Sequence, residues 1–146
     1  MKIAIVKLSA LGDIIHSMVA LQFIKKYHPD YEIDWIVEER FKGLLINNPH
    51  LNAVHTVCLK EIKSWRLFLN EIRKIKNFGS YDVVIDAQGL IKSSIVSRFI
   101  KSKKRVGFDR RSIRESLATC LYTDKVYVDY SKNTIDRMVE LICFPF

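Results

Sequence analysis

Lys7, Ser9, Gly12 and Asp13 fall within one short stretch directly behind the apolar run Ile3-Ala4-Ile5-Val6. A cation, a hydroxyl, a small residue and a carboxylate on one strand-to-helix loop are the makings of a ligand site. In an open α/β sheet, ligands bind in the crevice beyond the carboxyl ends of the strands, where all four would lie. Each has a plainer reading too. Asp13 could be an N-cap, favoured by the orphan amides and the dipole of a helix beginning there. Gly12 could supply only a positive φ for a tight turn. On spacing alone, capping is the stronger reading of Asp13. The loop has one glycine where the dinucleotide fingerprint needs three, and no Gly-Lys-Ser/Thr follows as a Walker A loop requires.

A second stretch repeats this arrangement: the apolar strand Tyr81 to Ile85, the small polar loop Asp86-Ala87-Gln88-Gly89, then a helix from about Leu90 to Ile100. Lys92 falls in the first turn of that helix. A cation there opposes the helix dipole, so its presence hints at an anion shared between the ammonium and the helix amides. The alternative is a lysine that simply extends into water. Further cations gather at Lys101 to Arg105 and at Arg110, Arg111 and Arg114. Lys63, Arg66, Arg73 and Lys74 form the polar side of a helix whose apolar stripe is Ile62, Trp65, Phe68, Leu69, Ile72 and Ile75. For Arg73 and Lys74 a solvated helix face explains the charge.

The elements that must position these residues alternate between strand and helix. Ile3–Val6 has the uninterrupted apolar character of a central parallel strand. A helix follows from about Asp13, closed by His28-Pro29-Asp30. Strands are expected at Tyr31–Glu38, Ala53–Leu59, Tyr81–Ile85, Arg105–Phe108 and Lys125–Val128. Helices are expected at Glu39–Ile46, along the Ile62–Ile75 stripe, after Leu90, through Leu117 and Leu121, and over Ile135–Ile142. This alternation predicts an α/β fold: a Rossmann-like, mostly parallel sheet with the first strand central and helices on both faces.

With 146 residues the chain fits one domain, and 49% hydrophobic with 27% charged residues describes a folded protein. The net charge of +8 calls for an acidic partner: nucleic acid, an anionic membrane surface or an acidic small substrate. No zinc-finger, RNA-recognition or basic-zipper pattern accompanies the cations, so nucleic acid is not the expected partner. Cys58, Cys120 and Cys143 are widely spaced in apolar company and read as buried thiols, not as a disulfide framework or a zinc site. No leader is apparent and no apolar run is long enough to span a bilayer, so a cytoplasmic location is expected. The apolar end Cys143-Phe144-Pro145-Phe146 is expected to lead into a connection to something further.

The loop Lys-Leu-Ser-Ala-Leu-Gly-Asp at 7–13, with His16 after it, resembles the N-terminal motif of the heptosyltransferases of lipopolysaccharide inner-core synthesis. Three other stretches share the resemblance: Asp34 to Glu39, Asp86 to Ser93, and Gly107 to Asp109 with Arg114 to Ala118. The Asp-Ala-Gln-Gly-Leu form of the second is similar to that of the type I members, which add the first heptose. The resemblance covers the whole chain. It implies residues 1–146 as the N-terminal, acceptor-binding half of a GT-B fold, with the donor-binding C-terminal domain outside this chain. It further implies a metal-free, inverting transfer of heptose from ADP-heptose to the Kdo of Kdo-lipid A, with no cofactor. The transfer would take place at the cytoplasmic face of the inner membrane, where the protein would sit peripherally.

By the same resemblance, Asp13 is the catalytic base, against the capping reading. Lys7, Lys92 and Arg114 match basic acceptor-binding positions, and Ser9, Gly12 and Gln88 belong to the same acceptor site. Lys63 and Arg66 lie where these enzymes have a richer basic cluster around a tryptophan, here thinned by Ser64 and Leu67. Two other readings suit the residues: a GT-B transferase for a different core acceptor, such as a heptosyltransferase II type, or a stand-alone α/β module binding an anion or nucleotide.

Overall fold

The computed structural model describes residues 1–146 as a six-stranded parallel sheet, in the order β3-β2-β1-β4-β5-β6, with helices on both faces. The strands are β1 (Lys2–Val6), β2 (Glu32–Glu38), β3 (Ala53–Val57), β4 (Ser80–Asp86), β5 (Lys101–Phe108) and β6 (Asp124–Val126). The helices are α1 (Leu11–Tyr27), α2 (Trp65–Lys76), α3 (Ile91–Phe99) and α4 (Thr134–Cys143). All five strand pairings are parallel. Each strand must therefore return through a crossover, and every strand-to-helix loop falls on one edge of the sheet.

Alternation along β1 builds two cores. Ile3 and Ile5 enter a cluster with Ile14, Leu21 and Ile24 of α1 and Met138, Leu141 and Ile142 of α4. Ala4 and Val6 point the other way, to Ile75 of α2 and Val96 of α3. A strand covered on both faces has no solvent side, which explains the unbroken apolar run at its centre.

Three expectations change. β5 begins at Lys101, four residues earlier than its apolar part, because its first half is paired with β4 while its lysines project outward. The segments at Glu39–Leu44 and Ser116–Leu121 are 3-10 helices, too short to bury a stripe of their own. The cysteines are not buried: Cys120 is exposed, and Cys58 and Cys143 are half-buried at the ends of β3 and α4. At the end of the chain, Phe146 packs edge-on against Tyr31 at 5.7 Å, whereas Phe144 stays exposed. No helix is long and apolar enough to cross a membrane.

Candidate active site

The loops after β1, β2, β4 and β5 meet at the carboxyl edge of the sheet, and backbone hydrogen bonds tie them together. Glu38 N donates to Leu8 O at 3.1 Å, Ala87 N to Val6 O at 2.9 Å and Glu115 N to Gly89 O at 3.4 Å. Lys7, Ser9, Gly12 and Asp13 are on the first of these loops and the helix it enters. Gln88 and Lys92 are on the third and Arg114 on the fourth. Lys63 and Arg66 are exposed at the start of α2, where Ile62 and Phe68 border one cavity with Lys92.

Asp13 is not the N-cap of α1 but stands at N3. Ala10 occupies the N-cap position with no side-chain acceptor to offer, and the exposed Asp13 carboxylate reaches back to accept a long 3.4 Å bond from Ala10 N, half of a capping box. The exposed side chains of Leu11 and Ile15 flank it with an apolar rim. Gly12 also departs from expectation. It has no positive φ, it lies inside the first helical turn, and a side chain there would meet nothing within 4 Å. Its lack of a side chain leaves the backbone open beside Asp13.

Lys7 is only 6% exposed, and its ammonium donates to Ala87 O at 3.0 Å. Burial lowers its pKa, while the nearby carboxylates of Asp13 and Asp86 act to raise it and Arg137 to lower it. It is thus a fixed charge beneath the crevice, not a flexible surface hook. Gln88 clamps the opposite loop. Its Oε1 accepts from Leu8 N at 3.2 Å and Ser9 N at 3.3 Å, and its Nε2 donates to Ser9 Oγ at 3.4 Å.

Under that clamp lies Asp86, fully buried at the end of β4. Its Oδ1 accepts from Gln88 N and Gly89 N, and its Oδ2 from Ser93 Oγ and Tyr122 Oη. Burial raises the Asp86 pKa, against the pull of those four donors, and burial beside Asp86 raises that of Tyr122. Gly107 permits the contact, since a Cβ there would lie 2.2 Å from the Tyr122 ring. Gly89 turns the loop at φ 72°, a conformation that favours glycine.

Lys92 does not extend freely into water. Its ammonium lies 3.5 Å from Oε1 of Glu38, whose Oε2 is 3.1 Å from Arg40 Nε. The sequence placed Glu38 in a motif but gave it no role; a glutamate closing the apolar run Trp35–Val37 is the signal that was there. Arg114 is exposed and has no ion pair. Behind its loop, Arg137 donates to Ser112 O at 2.8 Å and lies over the rings of Tyr130 and Phe108. Nothing in the sequence near Arg137 signals this contact. His16, with a buried Nδ1 that lacks a partner, borders a cavity of about 410 Å³ shared with Asn133 and Asp136. No three His, Cys, Asp or Glu side chains gather in a group that could hold a metal ion.

The model of glycosyltransferase family 9 (heptosyltransferase) matches residues 71–144. Lipopolysaccharide heptosyltransferase 1 of Campylobacter coli is 47% identical over 99% of this chain, which covers 41% of that protein. The enzyme of the same name from Escherichia coli K12 is 32% identical over 97% of the chain, covering 46% of its own length. Among solved structures, E. coli heptosyltransferase WaaC with ADP superposes with a TM-score of 0.89 at 29% identity, over 99% of this chain and 47% of that one. E. coli ADP-heptose lps heptosyltransferase II shares the fold at a TM-score of 0.72 and 22% identity. The chain therefore spans less than half the length of these relatives.

Proposed function

This chain belongs to glycosyltransferase family 9, the heptosyltransferases, and on that footing we propose that it is the acceptor-binding half of a lipopolysaccharide heptosyltransferase. The proposed reaction moves heptose from ADP-heptose to the Kdo of Kdo-lipid A, with inversion at the anomeric carbon. The observation that supports it best is Asp13: an exposed carboxylate at the carboxyl edge of the sheet, held only by one long 3.4 Å hydrogen bond from Ala10 N. A carboxylate so placed can take the proton of the attacking Kdo hydroxyl as its oxygen bonds to the anomeric carbon and ADP leaves.

The acceptor carries carboxylates and phosphates. Lys92 and Arg114 reach the crevice from two different loops, Lys7 adds a fixed charge beneath it, and Lys63 and Arg66 are exposed at the start of α2. Charge of this sign draws an anionic acceptor in and orients it. Ser9 and Gln88 hold the loop between Lys7 and Asp13 in shape, and Gly12 leaves room for close approach. In this reading the ADP-heptose site belongs to a second domain, and the in-line geometry requires both halves.

The test is a pair of titrations on the 146-residue chain. Kdo-lipid A, dispersed in a neutral detergent, should perturb the amides around Asp13 and Lys92, with an affinity that falls as salt rises. ADP-heptose should not bind, and no heptosylated product should form. An acceptor already bearing one heptose should bind more weakly than one bearing Kdo alone. Product formation by the chain alone, or tighter binding of the heptosylated acceptor, would overturn the proposal.

A further inference from the structure

Gln88 has no free oxygen to offer a ligand. Its Oε1 accepts from Leu8 N at 3.2 Å and Ser9 N at 3.3 Å, which uses both lone pairs of an amide oxygen. Its Nε2 donates to Ser9 Oγ at 3.4 Å. Neither loop amide donates to a backbone carbonyl, so Gln88 is the partner both depend on. The grip falls close to the chemistry. Ser9 immediately precedes the N-cap Ala10, and Asp13 follows at N3 of α1, so a shift of the loop carries Asp13 with it.

Gln88 is itself braced by Asp86, a fully buried carboxylate with no part in the proposed proton transfer. Asp86 Oδ1 accepts from Gln88 N at 3.0 Å and Gly89 N at 3.3 Å, which fixes the turn that carries the Gln88 side chain. Its Oδ2 accepts from Tyr122 Oη and from Ser93 Oγ at 2.9 Å, next to Lys92 in the first turn of α3. Gly89 O accepts in turn from Glu115 N, next to Arg114. Burying a carboxylate is costly, and an apolar side chain would fill a core position without that cost. A fully satisfied buried polar network does something apolar packing does not: it holds the backbone around it in one arrangement. Here that backbone leads to the base on one side and to two acceptor cations on the other.

We propose that Gln88 is a positioning residue for the base and not a ligand of the acceptor: braced by Asp86, it sets the 8–10 loop, and so Asp13, in register with Lys92 and Arg114. The inference rests on the transferase reading and adds to it the means by which base and acceptor are aligned. It replaces the expectation that Gln88 contacts the acceptor. Misplacement of a reacting group by about 1 Å can cost about 10²-fold in rate, so the grip has a kinetic consequence.

Two variants of the half-buried Gln88 separate reach from chemistry. Gln88→Asn keeps the amide but is one methylene too short to meet Leu8 N and Ser9 N. Gln88→Glu keeps the reach and an oxygen that accepts from both. In the 146-residue chain without substrate, hydrogen exchange at Leu8 N and Ser9 N should quicken on the order of tenfold in Gln88→Asn and stay near native in Gln88→Glu. In the two-domain enzyme, Gln88→Asn should lower kcat roughly 10- to 100-fold with the acceptor KM within about twofold of native. Gln88→Glu should recover most of that loss. A raised KM at native kcat would make Gln88 an acceptor ligand, and native exchange rates in Gln88→Asn would mean that Gln88 does not hold the loop. Either result overturns the proposal. A native two-domain enzyme that transfers no heptose would overturn the transferase reading instead, and the exchange rates, which need no substrate, would still decide whether Gln88 sets the loop.

Discussion

The Lys92 ammonium lies 3.5 Å from Oε1 of Glu38, a buried oxygen with no hydrogen-bond partner. The pair joins the carboxyl ends of β2 and β4 across β1, so a cation from the proposed acceptor site rests on a carboxylate that already closes the crevice from below.

An anion that shares Lys92 with Glu38 would sit about 7 Å from that carboxylate, where repulsion at an effective dielectric constant near 20 is about 2 kcal/mol. The half-exposed ion pair itself is worth only about 0.2–1 kcal/mol. Repulsion wins, so Glu38→Gln in the two-domain enzyme should lower the acceptor KM several-fold. Steady-state kinetics with varied acceptor measure it. An unchanged KM would mean that Lys92 does not meet the acceptor.

Asp13→Asn should act on chemistry and leave stability alone, because Asp13 makes one long hydrogen bond, from Ala10 N, that an asparagine oxygen can accept as well. Turnover in the two-domain enzyme should fall roughly 10²- to 10⁴-fold, the usual worth of a general base. The melting temperature should stay within error of the native value. A lowered melting temperature with near-normal turnover would return Asp13 to a structural role.

Gly107→Ala brings a Cβ to 2.2 Å from the Tyr122 ring and should drive the ring off Asp86. Overpacking of this kind costs about 1–3 kcal/mol. Tyr122→Phe keeps the ring and removes only the hydroxyl that Asp86 accepts, at about 1.5–3 kcal/mol. Urea unfolding of both variants, alone and combined, checks the shared origin: the double variant should cost less than the two single costs added together.

Burial raises the Asp86 pKa above its ordinary 3.8, so the folded chain holds that proton more tightly than the unfolded chain does. Its contribution to stability is then fully present below about pH 3.8 and is lost as pH rises through the folded value. The native chain should therefore lose ground to Asp86→Asn as pH rises. Thermal melts of the two proteins across the acid and neutral range should show their difference narrowing or changing sign. A constant difference would mean that the four donors cancel the effect of burial.

The apolar run Ile3–Val6, the strand–helix alternation and the loops behind Val6 and Ile85 were legible in the sequence because each is a local pattern. A strand buried on both faces cannot alternate with polar residues, and parallel strands must be linked by crossovers, so sheet type and site edge followed from residue order. The chemistry of Lys7, Asp13 and Lys92 as separate side chains was legible in the same way. What each side chain touches was not. Asp13 reaching back to Ala10 N, Gln88 gripping Leu8 and Ser9, Lys92 resting on Glu38, and Tyr122 reaching Asp86 over Gly107 are contacts between residues far apart in the chain or offset by a turn. No periodicity encodes such pairs; they exist only once the crossovers have brought the loops to one edge.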